Sequence, residues 1–200
     1  MNNVESYDKI VDKWEENRRN RGIDPIIVSF SEMLPENSKI LDIGCGTGYP
    51  TDSYLVECGH TVVGVDPSVK MIEKAKSLRL KNAAFYELGL FEYESGDKFD
   101  AVIAFDSLFH PEFEKQKDIY AKVGELLKKG GLFLFTHGIK AGSITGEMFG
   151  ENFYYSALDK AELLICLKNA NFEILRFDEN YKDNVIGERD LLAVLKFRGE

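Results

Sequence analysis

A chain of 200 residues with 44% hydrophobic content is comfortable for one α/β domain with a sizeable core. A formal net charge of −9 argues against non-specific nucleic-acid binding, which needs a basic surface, and no apolar stretch is long enough to span a bilayer. Residues 1–5 lack the basic and apolar regions of a signal peptide. Cys45, Cys58 and Cys166 have no metal-ligand spacing and read as reduced thiols of a cytoplasmic protein. In chain order, Tyr7, Ile10, Val11 and Trp14 form one helical stripe within residues 5–20. The basic cluster Arg18-Arg19-Asn20-Arg21 reads as a solvated helix end, and a second helix is predicted over 25–33. Strands are predicted at 39–43, 61–65, 84–86, 99–105 and 132–136, with helices at 51–57, 69–80 and 115–127, the last stopped by Gly130-Gly131. The glycine-containing stretch 138–156 reads as a substrate lid or a surface loop. A helix at 159–170 and strands at 172–177 and 190–197 complete the chain. The alternation implies a doubly wound seven-stranded sheet, mostly parallel, with helices on both faces. The last connection is too short for a crossover, so one strand at the C-terminal end is antiparallel. Residues 1–200 form one domain, of which 1–35 make an N-terminal helical cover.

The chemistry begins in residues 39–50, K-I-L-D-I-G-C-G-T-G-Y-P. An apolar strand runs into Gly44, Gly46 and Gly48, where backbone without Cβ can approach a ligand and offer a cradle of N–H groups. The dinucleotide fingerprint G-x-G-x-x-G needs a third glycine where Tyr49 stands. Asp42, inside the strand, would repel a pyrophosphate and welcome an amino group. Downstream, Asp66 ends the next strand, about 20 residues beyond the loop, in position to accept hydrogen bonds from ribose hydroxyls. Ser68 after it is placed to cap the following helix.

Asp42-x-Gly44-x-Gly46-x-Gly48 resembles the first motif of the class I S-adenosylmethionine (SAM) dependent methyltransferases. The resemblance covers roughly residues 5–197 and implies a Rossmann-like α/β fold with SAM as cofactor and S-adenosylhomocysteine (SAH) as product. It implies that the loop, with Cys45, holds the methionine part. Asp66 then holds the ribose, with Pro67, Ser68 and Met71 beside it. The helix carrying Tyr7 and Trp14 resembles the one that covers the cofactor in small-molecule members. Leu88-Gly89-Leu90 occupies the adenine segment. It departs from the family at Gly89, where an acidic residue usually accepts from the adenine amino group. Apolar and backbone contacts, or a register shift that brings Glu87 in, would compensate.

The switch point of such a sheet lies at the carboxyl ends of its first and fourth strands. Phe105, Asp106 and Ser107 are therefore expected beside the cofactor, with Phe109 and His110 on the substrate side. His110 is the first candidate for a general base, His137 the second and Tyr155 a substrate-side residue; His60 is at the opposite end of the sheet and reads as structural. Tyr7, Trp14, Phe109, Phe149, Phe153, Tyr154 and Tyr155 are expected around the mouth, where aromatic faces stabilise cations and wall flat substrates. No metal site is expected. The sequence thus reads as a methyltransferase for a small-molecule acceptor. A NAD-linked oxidoreductase and a non-catalytic SAM- or nucleoside-binding protein are the alternatives, and a protein or nucleic-acid methyltransferase is disfavoured by the acidic charge.

Overall fold

The structure is a computed structural model that describes residues 2–183, 185 and 187–199; Met1, part of the N-terminal segment read above, lies outside the described residues. Helix α1 spans Asn3–Arg19 and α2 spans Pro25–Glu32. Asn2 caps the first by accepting from Val4 N–H (3.1 Å), and Asp24 caps the second by accepting from Ile26 N–H (3.0 Å). Pro25 opens α2, where its missing N–H costs nothing. The alternating core follows: β1 (Lys39–Ile43), α3 (Thr51–Glu57), β2 (Thr61–Asp66), α4 (Val69–Ser77), β3 (Ala83–Glu87) and β4 (Phe99–Ala104). Then come α5 (Ile119–Leu126), β5 (Leu127–His137), β6 (Gly142–Met148), β7 (Glu151–Ala157), α6 (Lys160–Asn169), β8 (Phe172–Lys182) and β9 (Glu188–Phe197).

The main sheet has the order β3-β2-β1-β4-β5-β9-β8, and β9 alone runs antiparallel to its neighbours. That reversed strand is what the resemblance implies and what distinguishes the sheet from a NAD-binding half-sheet. One face buries α5 and α6 through Tyr120, Val123, Leu163 and Leu167; the other buries α2 and α3 through Ile27, Phe30 and Leu55. Strand β4 is apolar on both faces because both are covered. Helix α1 joins neither layer. It lies over the carboxyl ends of the strands, against α4 and β7.

Two expectations are corrected. Residues 138–156 are not a plain loop: β6 and β7 pair as an antiparallel hairpin in a separate two-stranded sheet. Helix α5 starts at Ile119, after a short 3-10 turn at Phe113–Lys115, and ends at Leu126, before the two glycines. Gly130 and Gly131 instead serve an irregularity in β5, where pairing with β4 shifts between Phe99 and Ala101. Gly130 has φ +84°, and a Cβ on Gly131 would lie 3.0 Å from Asp100 O.

Candidate active site

The glycine loop leaves β1 with Gly44, Gly46 and Gly48 at φ +74°, +55° and +72°, a region that favours glycine. Each missing Cβ admits a neighbour. A side chain on Gly44 would overlap Ser107, whose Oγ would be 3.0 Å away; one on Gly46 would be 2.9 Å from the Trp14 ring. Gly48 faces away from the ligand side, toward Phe85 and Leu78. The expected cradle of free N–H groups is corrected. The Gly44 and Cys45 N–H groups donate to Val65 O (2.8 and 3.1 Å), Gly48 N–H donates to Cys45 O (3.0 Å), and Gly46 N–H donates to Asp66 Oδ2 (3.0 Å). The loop therefore supplies close approach of backbone, and the Gly44, Cys45 and Gly46 donors tie it to β2 while that of Gly48 closes the loop on itself.

Asp66 holds that joint, since its Oδ1 also accepts from Ser68 N–H (2.9 Å). Burial pushes its carboxyl up to about 6. Ser68 is fully buried; it caps α4 at Met71 N–H (3.2 Å) and donates to Asp8 of α1 (2.6 Å), so it is a joint rather than a lining residue. Asp42 sits beneath the loop beside a side pocket of about 40 Å³, room for about one water. Burial next to the equally buried Asp52 raises Asp42 to about 7 and Asp52 well above its usual range, so burial favours the protonated form of both. The Cys45 thiol is also buried and pushed up, which leaves it unreactive.

The opposite lip is residues 105–107. Asp106 adopts φ +58° and is gripped by Arg189, which donates through Nε and Nη2 to its two oxygens at 2.7 and 2.9 Å. Burial opposes its charge, but the Arg189 hydrogen bonds override this and hold the carboxyl below the usual range. Thr136 adds a bond at 3.1 Å and Arg18 an ion pair at 3.4 Å. Ser107 Oγ donates to Ile43 O (2.6 Å), fastening β4 to β1.

Together these elements enclose a cavity of about 300 Å³ under α1. Tyr7, Trp14 and Arg18 form its roof; Gly44, Gly46, Asp66, Pro67 and Met71 form one wall; Phe105, Asp106, Ser107 and His110 form the other. Leu88, Gly89 and Leu90 close one end, with Glu92. The Glu92 carboxylate lies against the Gly89 Cα, where a Cβ would collide with it. Glu87 instead keeps its ordinary register opposite Asp66 and is exposed, so the shift that would bring it in does not occur. Asp42, Cys45, Gly48 and Ser68 support the cavity from behind and do not line it.

A second, open cleft of about 780 Å³ adjoins the first; Arg18 and Asp106 line both. Tyr155 and Phe109 wall it with rings 5.6 Å apart, and His137 and Arg189 lie at its base. His137 is buried, with Nε2 3.1 Å from Gln116 Oε1 and Nδ1 beside Gly138 O, so both nitrogens face acceptor oxygens of the protein and the one N–H of a neutral ring can serve only one of them. His110 pairs with Tyr7, Nε2 to Oη at 2.7 Å, and burial holds it down to about 4. The expected aromatic mouth is only partly assembled. Phe153 is fully buried under Tyr7, Tyr154 accepts from Phe113 N–H (3.1 Å), and Phe149 sits at the hairpin turn outside both cavities. His60 packs against Ser31 at the far end of the sheet, as expected.

Lining residues that were not read from the sequence as site residues include Asn3, Arg18, Glu92 and Arg189. Arg18 extends the stripe of Tyr7, Val11 and Trp14 by one turn, so that periodicity carried a signal for it. Arg189 comes from β9 and had none. Among the described residues, no group of three or more His, Cys, Asp or Glu side chains is placed to hold a metal ion, and no helix is long and apolar enough to cross a membrane.

A family model for a methyltransferase domain matches residues 40–131. A methyltransferase of uncharacterised activity from Geobacillus thermodenitrificans is 31% identical over 135 residues, 66% of this chain and 61% of that protein, so the chain spans about three fifths of that relative's length. Among solved structures, a SAM-dependent methyltransferase from Methanosarcina mazei is similar with a TM-score of 0.73 at 23% identity, covering 90% of this chain and all of that one (100%). A 1,6-didemethyltoxoflavin-N1-methyltransferase from Burkholderia thailandensis, solved with 1,6-didemethyltoxoflavin and SAH bound, is similar with a TM-score of 0.70 at 17% identity, covering 98% of this chain and 87% of that one. The sheet order with its reversed β9, the loop after β1 and these likenesses agree: residues 40–131 match a methyltransferase domain, and the chain has the fold of the class I S-adenosylmethionine-dependent methyltransferases to which it is similar.

Proposed function

We propose that the enclosed cavity binds SAM and that the chain transfers its methyl group directly to a small-molecule acceptor held in the open cleft. The observation that carries this reading is the convergence of the glycine loop, Asp66 and residues 105–107 on one cavity of about 300 Å³ closed by α1. That volume is in the range of small-molecule sites. The lining also matches the chemistry of the cofactor. Each Asp66 oxygen accepts one backbone N–H, and an ionised carboxylate offers about four lone-pair sites, which leaves capacity for two ribose hydroxyls. Glu92 beside Gly89 restores an acidic acceptor for the adenine amino group. Arg18 and Asp106 suit the two charges of an amino-acid tail.

When bound, SAM supplies a methyl group on a positively charged sulfur, which an acceptor lone pair displaces in line. This chain's residues have to position, shield and stay out of the way. Alignment of the two reactants is worth roughly 7–11 kcal/mol of the barrier. The rings of Tyr7, Trp14 and Phe105 line the cavity, those of Trp14 and Phe105 already stacked under the guanidinium groups of Arg18 and Arg189, and α1 excludes water. The adjoining cleft is large enough for a flat acceptor against Tyr155 and Phe109. The small acceptor named for the Burkholderia thailandensis protein supports a small-molecule acceptor here. The exposed Cys58 thiol suits a reducing cytoplasm.

The test is an assay with methyl-labelled SAM across a panel of small hydroxyl-, amine- and thiol-bearing acceptors, with SAH formation followed in parallel. Label in a small molecule with matching SAH is the expected result. Tight SAM binding without turnover, or label confined to protein or nucleic acid, would contradict it.

A further inference from the structure

The pair Tyr7–His110 has a direction that its surroundings fix. The side-chain amide of Asn3, at the start of α1, makes two bonds to one residue of β7: its Oδ1 accepts from Tyr154 N–H (2.8 Å), and its Nδ2 donates to Tyr154 O (2.8 Å). A backbone N–H can only donate and a carbonyl can only accept, so the amide cannot be flipped. The second Nδ2 hydrogen then faces His110 Nδ1 at 2.9 Å. A protonated Nδ1 would set two N–H groups against each other there. Its other neighbour, Tyr154 O, is more distant at 3.3 Å and already accepts from Asn3. Nδ1 is therefore the bare nitrogen. In a neutral imidazole the proton must then be on Nε2, and His110 donates to Tyr7 Oη across 2.7 Å. A phenol that accepts from His110 keeps its own hydrogen for another partner, and Tyr7 lines the enclosed cavity.

We propose that Asn3 locks His110 as the Nε2–H tautomer, so that His110 turns the Tyr7 hydroxyl hydrogen toward a hydrogen-bond-accepting oxygen of the cofactor. His110 is on this account a positioning residue, and it cannot take a proton from Tyr7 or through Tyr7 from an acceptor. The direction of the Tyr7–His110 bond needs only the protein. The ligand half rests on the reading of the cavity as the SAM and SAH site.

Nitrogen-15 NMR of histidine-labelled protein without ligand reads the tautomer, with His110→Gln to assign the resonance. A protonated Nε2 and bare Nδ1 are expected; the reverse overturns the proposal. Asn3→Asp replaces the donor with an acceptor and should flip the tautomer, pulling the Tyr7 hydrogen back to His110. Calorimetry with SAH then reads the consequence. Tyr7→Phe and Asn3→Asp should each weaken SAH about tenfold, the scale of one hydrogen bond to a charged or strongly polar group. In the Tyr7→Phe background Asn3→Asp should add nothing further. Unchanged SAH affinity in Tyr7→Phe, or additive losses in the double variant, would overturn the ligand half. If the unmodified protein binds no SAH, the reading of the cavity falls and the ligand half with it, whereas the NMR result still decides the tautomer.

Discussion

The two hollows that meet at Arg18 and Asp106 are built in different ways. The walls of the enclosed one are short runs of neighbours under a roof from α1: the loop after β1, Asp66 and Pro67 at the end of β2, the segment from Leu88 after β3, and residues 105–107 after β4. Each run lies at or directly after a strand end, so each inherits its position from a period-two apolar pattern and a chain reversal. The open cleft gathers Tyr155 of β7, Thr136 and His137 of β5, Arg189 of β9 and Arg18 of α1, which only the folded chain brings together. The walls of the enclosed hollow are thus placed by local sequence, and the open cleft by tertiary structure, to which the hairpin β6–β7 contributes from outside the main sheet.

The comparison can be broken most forcefully at the loop. Gly44→Ala meets both a φ of +74° and the Ser107 side chain. Backbone strain alone costs about 1–3 kcal/mol. SAH affinity should fall at least about a hundredfold by calorimetry, with circular dichroism reporting whether the fold survives.

At the wall between the hollows, Arg189→Met leaves Asp106 and Asp183 without the buried arginine that bonds both, at 2.7 and 2.9 Å. Removing one partner of a buried ion pair destabilises by about 3–5 kcal/mol, which a denaturant melt will read as a large drop in midpoint. A neutral outcome would mean that the lip is held by Thr136, Arg18 and the backbone without Arg189.

Asp66→Asn tests the enclosed cavity without changing its shape. Loss of the charged acceptor should weaken SAH about ten- to hundredfold. Burial raises the Asp66 carboxyl to about 6, so binding that uses its ionised form should weaken in the unmodified protein as pH falls through 6, and this step should vanish in the variant. Titrations at pH 5 and 8 check both statements.

Beneath the loop, Asp42 and Asp52 have folded-state values above those of the unfolded chain. The folded protein then binds more protons than the unfolded one, and stability falls as pH rises through about 7. Asp52→Asn removes one of the two buried acids. The variant should gain about 1 kcal/mol at pH 8 and little at pH 5, read from melting curves. Asp24 and Asp66, each raised to about 6, should leave a smaller slope in place.

The smallest effect on SAH binding should come from the open cleft, the proposed acceptor side. Tyr155→Ala removes a wall of the open cleft only, so SAH affinity should stay within about twofold while methyl transfer drops. A large loss of SAH binding would merge the two hollows into one functional unit.

The same division explains what could be read from the chain. The sheet, its reversed last strand and the loop with Asp66 were legible because each is a local pattern with its own physical cause. The hairpin at 142–157 was not, since glycines at 142, 146 and 150 look the same in a mobile loop as in a hairpin. Its strands were visible only in the alternation around Phe153 and Tyr155. Glu92 was missed because the family position points to Gly89, whereas a side chain three residues on reaches the same spot across a turn. Arg189 was missed because its partner, Asp106, lies 83 positions away. The contact between Asn3 and His110 was not legible for the same reason. Nothing near His110 in sequence shows that Asn3, 107 positions earlier, lies 2.9 Å from its Nδ1.

The central claim is that the cavity under α1 is a SAM site, and titration calorimetry of the unmodified protein with SAH and, separately, NADH tests it most directly. The account predicts one SAH bound per chain and no NADH binding. Tight NADH binding, or no heat with SAH, would contradict it.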